Sequence, residues 1–255
     1  MSLPQDFLDK MQILLGEEYE SFINSYEQEK SLGLRVNTLK TTLEDFENLN
    51  QFDLNSIPWV LEGYFYKQKD RPGKHPYHEA GVYYIQEPSA MSVGTFVEAV
   101  PGEKVLDLCA APGGKSTHVA SQLQQEGLLI TNEIYPQRAK ILSQNIERMG
   151  IKNAVVVNES PQKLAKHFPS YFDRIVVDAP CSGEGMFRKD EVAQEEWSLE
   201  NVQICANRQA DILEEADTML KPGGRIVYST CTFAPEENEQ AIASFIESHP
   251  EFMIE

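Results

Sequence analysis

Val105-Leu106-Asp107-Leu108-Cys109-Ala110-Ala111-Pro112-Gly113-Gly114-Lys115-Ser116-Thr117 is the stretch whose reading decides the fold. An apolar run suited to a buried strand leads into a glycine turn, and a helix follows. Strand, turn and helix N-terminus gather free backbone N–H groups and the positive end of a helix dipole at one point, where Gly113 and Gly114 allow close approach. The stretch predicts an anionic or zwitterionic ligand at the end of a parallel sheet.

Two ligands compete for that turn. Gly113-Gly114-Lys115-Ser116-Thr117 resembles the close of a phosphate loop, but that pattern needs glycine five positions before Gly114, and Cys109 stands there. The pattern fails at this position, and the alternative to an NTPase is a site for S-adenosylmethionine. Glu133 supports it. The carboxylate follows a second apolar run, Leu128-Leu129-Ile130, and lies 20 residues after Gly113, about where nucleotide-binding sheets place a ribose-hydroxyl acceptor. An exposed acid at a helix start is the plainer reading of the same residue.

Outward from this stretch the pattern alternates. Strands are predicted at Val105 to Cys109, Leu128 to Thr131, Ala154 to Val157, Arg174 to Val177 and Arg225 to Tyr228. Helices are predicted at Thr117 to Leu123, from Pro136 to a stop at Gly150, and over Asn201 to Leu220, with Leu142, Ile146 and Met149 as one core face. Such alternation predicts an α/β protein with a Rossmann-like parallel sheet covered on both faces.

Before it, Tyr19, Phe22, Ile23 and Tyr26 fall at helical spacing, Leu34-Arg35-Val36 reads as a strand, and Leu43, Phe46 and Leu49 suggest another helix. With a boundary at Arg71-Pro72-Gly73-Lys74, the expected organisation is a small α+β module over 1–75, a connector over 76–103 and a catalytic domain over 104–255.

At 255 residues and 41% hydrophobic content the chain can bury a large core. It has no apolar run of the length that spans a membrane and no basic or hydrophobic leader, so a cytoplasmic protein without a membrane partner is expected. Cys109, Cys181, Cys205 and Cys231 show no ligand spacing and no disulfide framework. Cys205, within a helical pattern, suits packing. His75 and His78 flank Pro76 with no cysteine nearby, which argues against metal. The formal net charge of −18 excludes a long basic nucleic-acid channel. Lys67, Lys69, Arg71 and Lys74 nevertheless crowd one short loop, which leaves room for a local RNA contact.

Two further strand ends carry chemistry: Asp178-Ala179-Pro180-Cys181-Ser182-Gly183-Glu184-Gly185 and Ser229-Thr230-Cys231-Thr232. Methyl transfer to an exocyclic amine needs no thiol. Carbon 5 of cytosine is a poor nucleophile, and a thiolate adding at carbon 6 turns the ring into an enamine that can attack a sulfonium methyl group. A lysine and a sulfonium nearby would favour that thiolate by lowering its pKa. Spacing alone does not rank the two cysteines.

Together, Asp-Leu-Cys-Ala-Ala-Pro-Gly-Gly-Lys, Asp-Ala-Pro-Cys-Ser-Gly-Glu-Gly and Ser-Thr-Cys-Thr resemble the Nol/Nop/Sun family of RNA cytosine-5 methyltransferases, in particular its RsmF-type bacterial small-subunit rRNA enzymes. Gly33-Leu34-Arg35-Val36-Asn37-Thr38 and Tyr84-Ile85-Gln86-Glu87-Pro88-Ser89 extend the similarity over nearly the whole chain. The resemblance implies that Cys231 is the carbon-6 nucleophile and that Cys181 assists loss of the carbon-5 proton. It implies that Asp178 contacts the pyrimidine edge and that Lys115 lies beside the target base. Cys109, Ala110, Ala111, Pro112, Gly113, Gly114 and Lys115 would wrap S-adenosylmethionine, with Glu133 on its ribose and Arg138, Ser160 and Asp178 as further cofactor contacts. Ser160 stands where the family carries an aspartate for the adenine amine. The implied partner is RNA, 16S rRNA in the small subunit, with no DNA and a monomeric enzyme.

The target base must leave its stack to react, and the loop from Gly183 to Trp197 is expected to cover it, with Met186, Phe187, Arg188 and Lys189 as candidate contacts. Arg35 and Asn37 fit either phosphate contact or a structural role. The chain stops at Phe252-Met253-Ile254-Glu255, where the family begins another strand, so a core lacking the usual closing strands and basic extension is expected. A noncatalytic RNA-binding assembly factor on the same fold is the second reading.

Overall fold

The computed structural model describes residues 3–255. Along the chain its elements are α1 (Gln5–Leu15), α2 (Tyr19–Ser25), β1 (Gly33–Val36), α3 (Leu43–Leu49), β2 (Asn55–Ser56), β3 (Gly63–Phe65), α4 (Pro76–Glu79), β4 (Tyr83–Ile85), α5 (Pro88–Val97) and β5 (Lys104–Asp107). There follow α6 (Gly114–Leu123), β6 (Leu128–Asn132), α7 (Pro136–Met149), β7 (Ala154–Val157), α8 (Pro161–His167), β8 (Phe172–Asp178), α9 (Glu191–Glu196), α10 (Leu199–Met219), β9 (Leu220–Ser229) and α11 (Glu239–Ser248). These fall into two compact units. One comprises Ser31–Asp178 and Glu215–Tyr228, the other the residues up to Lys30 with Ala179–Glu214 and Ser229–Glu255.

The first unit holds both sheets. Five strands run in the order β7-β6-β5-β8-β9, and β5–β6, β6–β7 and β5–β8 are parallel, with Leu106 opposite both Ile130 and Ile175. Aliphatic runs suit strands covered on both faces. Leu142, Ile146 and Met149 of α7 pack with Val105, Leu129, Val119 and Leu123 in one buried cluster. Burying side chains of this size stabilises the fold by about 1.5–3 kcal/mol each. Pro136 opens α7 with its fixed φ, and Gly150, at φ +75°, ends it by donating its N–H to Glu147 O and Ile146 O. The Rossmann-like α/β expectation is met.

The smaller sheet is antiparallel, in the order β2-β3-β1-β4, over a core of Leu34, Val36, Phe46, Tyr64 and Tyr83. Its strands β2, β3 and β4 are only two or three residues long, too short for alternation to announce them. Residues expected as a connector supply β4, which pairs with β1 through Arg35 and Tyr84, and the helix α5. The division at 75 and 103 is thus a proposal about segments along the chain, and the compact units are drawn differently.

Arg35 and Asn37 are structural. Arg35, fully buried, donates from Nε to Gln86 Oε1 at 3.3 Å and from Nη2 to Gly114 O at 3.1 Å and Thr117 Oγ1 at 2.8 Å. Asn37 Nδ2 donates to Gly81 O and Met149 O. Neither side chain is available to phosphate, so the guanidinium fastens the small sheet to the start of α6 instead.

The second unit is built on aromatic packing. Phe7 and Met11 of α1 bury against Phe187, Trp197, Val202 and Ala234, with Phe22 and Tyr26 at the margin. Phe7 meets Phe187 edge to face, with ring centroids 4.9 Å apart, an arrangement the ring quadrupoles favour.

Candidate active-site elements

In the first unit, the turn after β5 is fixed by its own backbone. Leu108 N donates to Val176 O (2.9 Å), Ala110 N to Asn132 O (2.8 Å) and Gly113 N to Ala110 O (2.8 Å). Gly113 sits at φ +112°, a conformation that a side chain would strain, and it caps α6. The expected strand end at Cys109 therefore lies in the turn, and the helix begins three residues before Thr117.

Carboxylates surround this turn. Glu133, only 3% exposed, accepts from Tyr135 N at 2.9 Å through Oε1 and pairs with Arg138 Nη1 at 3.1 Å through Oε2. Arg138 Nη2 donates to Ala111 O at 2.8 Å, so Glu133, Arg138 and the turn form one linked group. Lys115 Nζ donates to Asp178 Oδ2 at 2.7 Å. Asp107, fully buried, takes a hydrogen bond from Ser116 Oγ at 2.6 Å, and burial pushes its carboxyl up to about 7. Burial, with the charges of Asp107, Asp178 and Glu133, also raises the Cys109 thiol, which keeps it protonated and inert.

Ser160 stands at the start of α8, where its carbonyl accepts from Lys163 N and Leu164 N. Two neighbours matter more for the sheet edge than sequence reasoning allowed. Asn132 joins Leu108 O to Glu159 N through its side chain, and Asn158 Nδ2 donates to Glu133 O (2.6 Å) and Ile134 O (2.9 Å). An asparagine at each strand end was the available signal.

In the second unit, Cys181 and Cys231 come together with their Sγ atoms 3.2 Å apart, and Cys231 N donates to Cys181 Sγ at 3.3 Å. Their turns are laced to each other: Ser182 Oγ and Thr232 Oγ1 share a hydrogen bond at 2.9 Å, and Gly185 N donates to Cys231 O at 2.8 Å. Buried Glu237 accepts from Ser182 N (3.0 Å) and Gln209 Nε2 (2.8 Å), and Gln209 Nε2 also reaches Pro180 O (3.0 Å). Cys231 is exposed and Cys181 half-buried.

Other expected residues take these positions. The hydrogen bond from Cys231, then burial, raise the Cys181 thiol far above its ordinary pKa. Lys115, expected to favour a thiolate, is engaged by Asp178. Phe187 is fully buried in the aromatic core and cannot touch substrate there; Arg188 Nη2 is bonded to Gln28 O. Of the four proposed contacts, Lys189 is exposed and Met186 half-buried. His75 accepts from Tyr77 N through Nδ1, and among the described residues no group of three metal-ligating side chains occurs. Cys205 is buried, as packing requires. No described helix is long and apolar enough to cross a membrane.

The family model for 16S rRNA methyltransferase RsmB/F matches residues 95–255, and that for the N-terminal domain of 16S rRNA methyltransferase RsmF matches residues 3–88. Ribosomal RNA small subunit methyltransferase F of Vibrio parahaemolyticus is 39% identical over 248 residues, covering 93% of this chain and 52% of the relative. The chain thus spans about half the length of the curated relatives it matches. Among solved structures, a methyltransferase homolog from Pyrococcus horikoshii is 30% identical with TM-score 0.84, over 96% of this chain and 78% of that one. NSun6 from Pyrococcus horikoshii, solved with SFG, shares the fold at 21% identity and TM-score 0.85, over 96% and 87% of the two chains. With both strand-end cysteines, the glycine turn and these matches in place, the chain belongs to the S-adenosylmethionine-dependent 16S rRNA methyltransferase RsmB/F family.

Proposed function

We propose that this chain methylates carbon 5 of a cytosine in RNA, with small-subunit 16S rRNA as substrate. The observation that carries the reading is the pair of strand-end thiols 3.2 Å apart, because an amine methyltransferase has no use for either. The donor set fits S-adenosylmethionine: a buried carboxylate, Glu133, for a ribose diol, backbone at the N-terminus of α6 for the zwitterionic end, and Lys115 with Asp178 beside the turn. Lys115 and Arg138 are each paired with a carboxylate, so the turn offers a charge-balanced surface rather than a phosphate cradle. SFG, found with NSun6, is an analogue of this cofactor. When bound, the cofactor supplies an electrophilic methyl group.

The residues have these roles. The exposed Cys231 thiol releases its proton to solvent, and the Sγ thiolate forms a bond to carbon 6, which places the electron pair of the former double bond on carbon 5. Asp178, three residues before Cys181 along the chain, holds the pyrimidine edge and favours that addition. After methylation, carbon 5 gives up its proton to the Cys181 thiolate, and the electron pair reforms the double bond as the carbon–sulfur bond breaks and Cys231 leaves as thiolate. Cys181 serves this second half. The hydrogen bond with Cys231 and then burial raise its pKa, which makes the Cys181 thiolate a strong base for that proton.

The test is transfer of labelled methyl from S-adenosylmethionine to 16S rRNA and to assembled small subunits, with the product mapped on the ring. Cys231→Ala is expected to abolish transfer, and Cys181→Ala to leave enzyme covalently bound to RNA. Transfer unaffected by Cys231→Ala would remove the covalent mechanism. Cofactor binding without any transfer would favour the noncatalytic RNA-binding reading.

A further inference from the structure

Glu184 is a fully buried carboxylate, and such a group is stable only when it is paired and hydrogen-bonded. Three groups meet that need. Oε1 takes the ammonium of Lys10 and, at 3.1 Å, Trp197 Nε1; Oε2 takes Phe233 N at 3.0 Å. Lys10 also lies over the Trp197 ring, 5.3 Å from its centroid. The neighbouring Gly185 N donates to Cys231 O at 2.8 Å, and a Cβ on Gly185 would come within 2.9 Å of that oxygen. The dipeptide Glu184-Gly185 therefore grips the main chain on the carboxyl side of Cys231, at its own carbonyl and at the N–H two residues on. Burial first, and then the Glu184 charge, raise the Tyr26 hydroxyl, with the Arg188 charge opposing them.

We infer that Glu184 is a positioning residue for Cys231, and that Lys10 of α1 is the partner that holds it in place. Replacing an ion pair of this kind by apolar residues is often neutral for stability, so its use here is geometric: Oε2 fixes the turn from which the Cys231 thiol projects. A helix in the segment matching the N-terminal domain thus contributes to the chemistry of the thiol. The inference rests on the role proposed for Cys231 above.

The test is made in the full chain carrying Lys10→Met, so that no lone ammonium is buried. In that background Glu184→Gln keeps an acceptor for Phe233 N, whereas Glu184→Leu and Glu184→Met do not. Alkylation of Cys231 by iodoacetamide is followed by peptide mass as a function of pH, alongside kcat, the KM for S-adenosylmethionine and the thermal midpoint. The Gln variant is expected to match wild type in alkylation profile and kcat. The apolar variants should lose about 10-fold to 100-fold in kcat, as a displaced reacting group does, with a shifted profile and unchanged KM, all measured well below the thermal midpoint of every variant. Equal kcat and equal profiles for Gln and apolar variants would overturn the inference, as would losses that simply follow the thermal midpoint. If wild type transfers no methyl group, the alkylation profiles alone decide: a shift confined to the apolar variants upholds the positioning role while the proposed reaction fails.

Discussion

Cys181 Sγ lies 3.2 Å from Cys231 Sγ, and that contact is the largest cause of the raised pKa of the Cys181 thiol. Removing the partner should lower it. In Cys231→Ala, alkylation of Cys181 is expected to begin at lower pH than in wild type, since only burial then opposes ionisation. Rates by mass spectrometry across a pH series check this, and an unmoved profile would mean that burial dominates.

Lys115 and Asp178 neutralise each other at 2.7 Å, with the lysine side chain largely buried. Asp178→Asn leaves that ammonium without its carboxylate and removes the proposed hold on the pyrimidine. Methyl transfer should fall by about 100-fold or more, in the range found when an oriented electrostatic group is lost, while the fold persists. Single-turnover kinetics, with circular dichroism as control, decide the matter.

Arg35 links β1 to the start of α6 from a fully buried position. Arg35→Met removes the hydrogen bonds to Gln86 Oε1, Gly114 O and Thr117 Oγ1, leaving the last two bonded to each other, and a loss of about 1–3 kcal/mol in urea unfolding is expected. Burial lowers its pKa only to about 10, so the guanidinium stays charged near neutrality.

Gly94 of α5 faces His118 of α6 so closely that a Cβ would stand 2.1 Å from the ring Nδ1. Gly94→Ala should therefore cost about 1–3 kcal/mol by overpacking. A Tm unchanged or raised would show that the two helices can separate there.

Asp107 and His118 give stability opposite dependences on pH. Burial raises Asp107 to about 7, so the folded state holds a proton that the unfolded state has released, and this contribution is lost as pH rises through that value. Burial and the Arg35 charge lower His118 to about 4; the unfolded state then takes up the proton first, and stability is lost as pH falls from about 6.5 toward 4. Between those limits the two offset each other. Asp107→Asn should leave the histidine's effect unopposed, making stability rise with pH from about 4 to about 6.5, and His118→Gln should do the reverse. Urea midpoints at four or five pH values measure both slopes.

Much of this was legible in the chain itself. Val105 to Thr117 carried strand, turn and helix because aliphatic runs, Gly113 and the positions after it leave the backbone few choices, and α7 was bracketed by Pro136 and Gly150 for the same local reason. The two thiol motifs and Glu133 could also be picked out, since their residue types are chemically unusual at strand ends. Strands β2 and β4 could not, because two or three residues hold no period and form only when β3 and β1 offer them partners. Tertiary structure likewise decided that Arg35 and Phe187 belong to the interior, that the two sulfur atoms meet, and that Glu184 takes its counter-ion from Lys10, 174 residues away. Local propensity and covalent geometry act between neighbours in the chain. Burial and charge pairing act between neighbours in space, and only the folded chain says which residues those are.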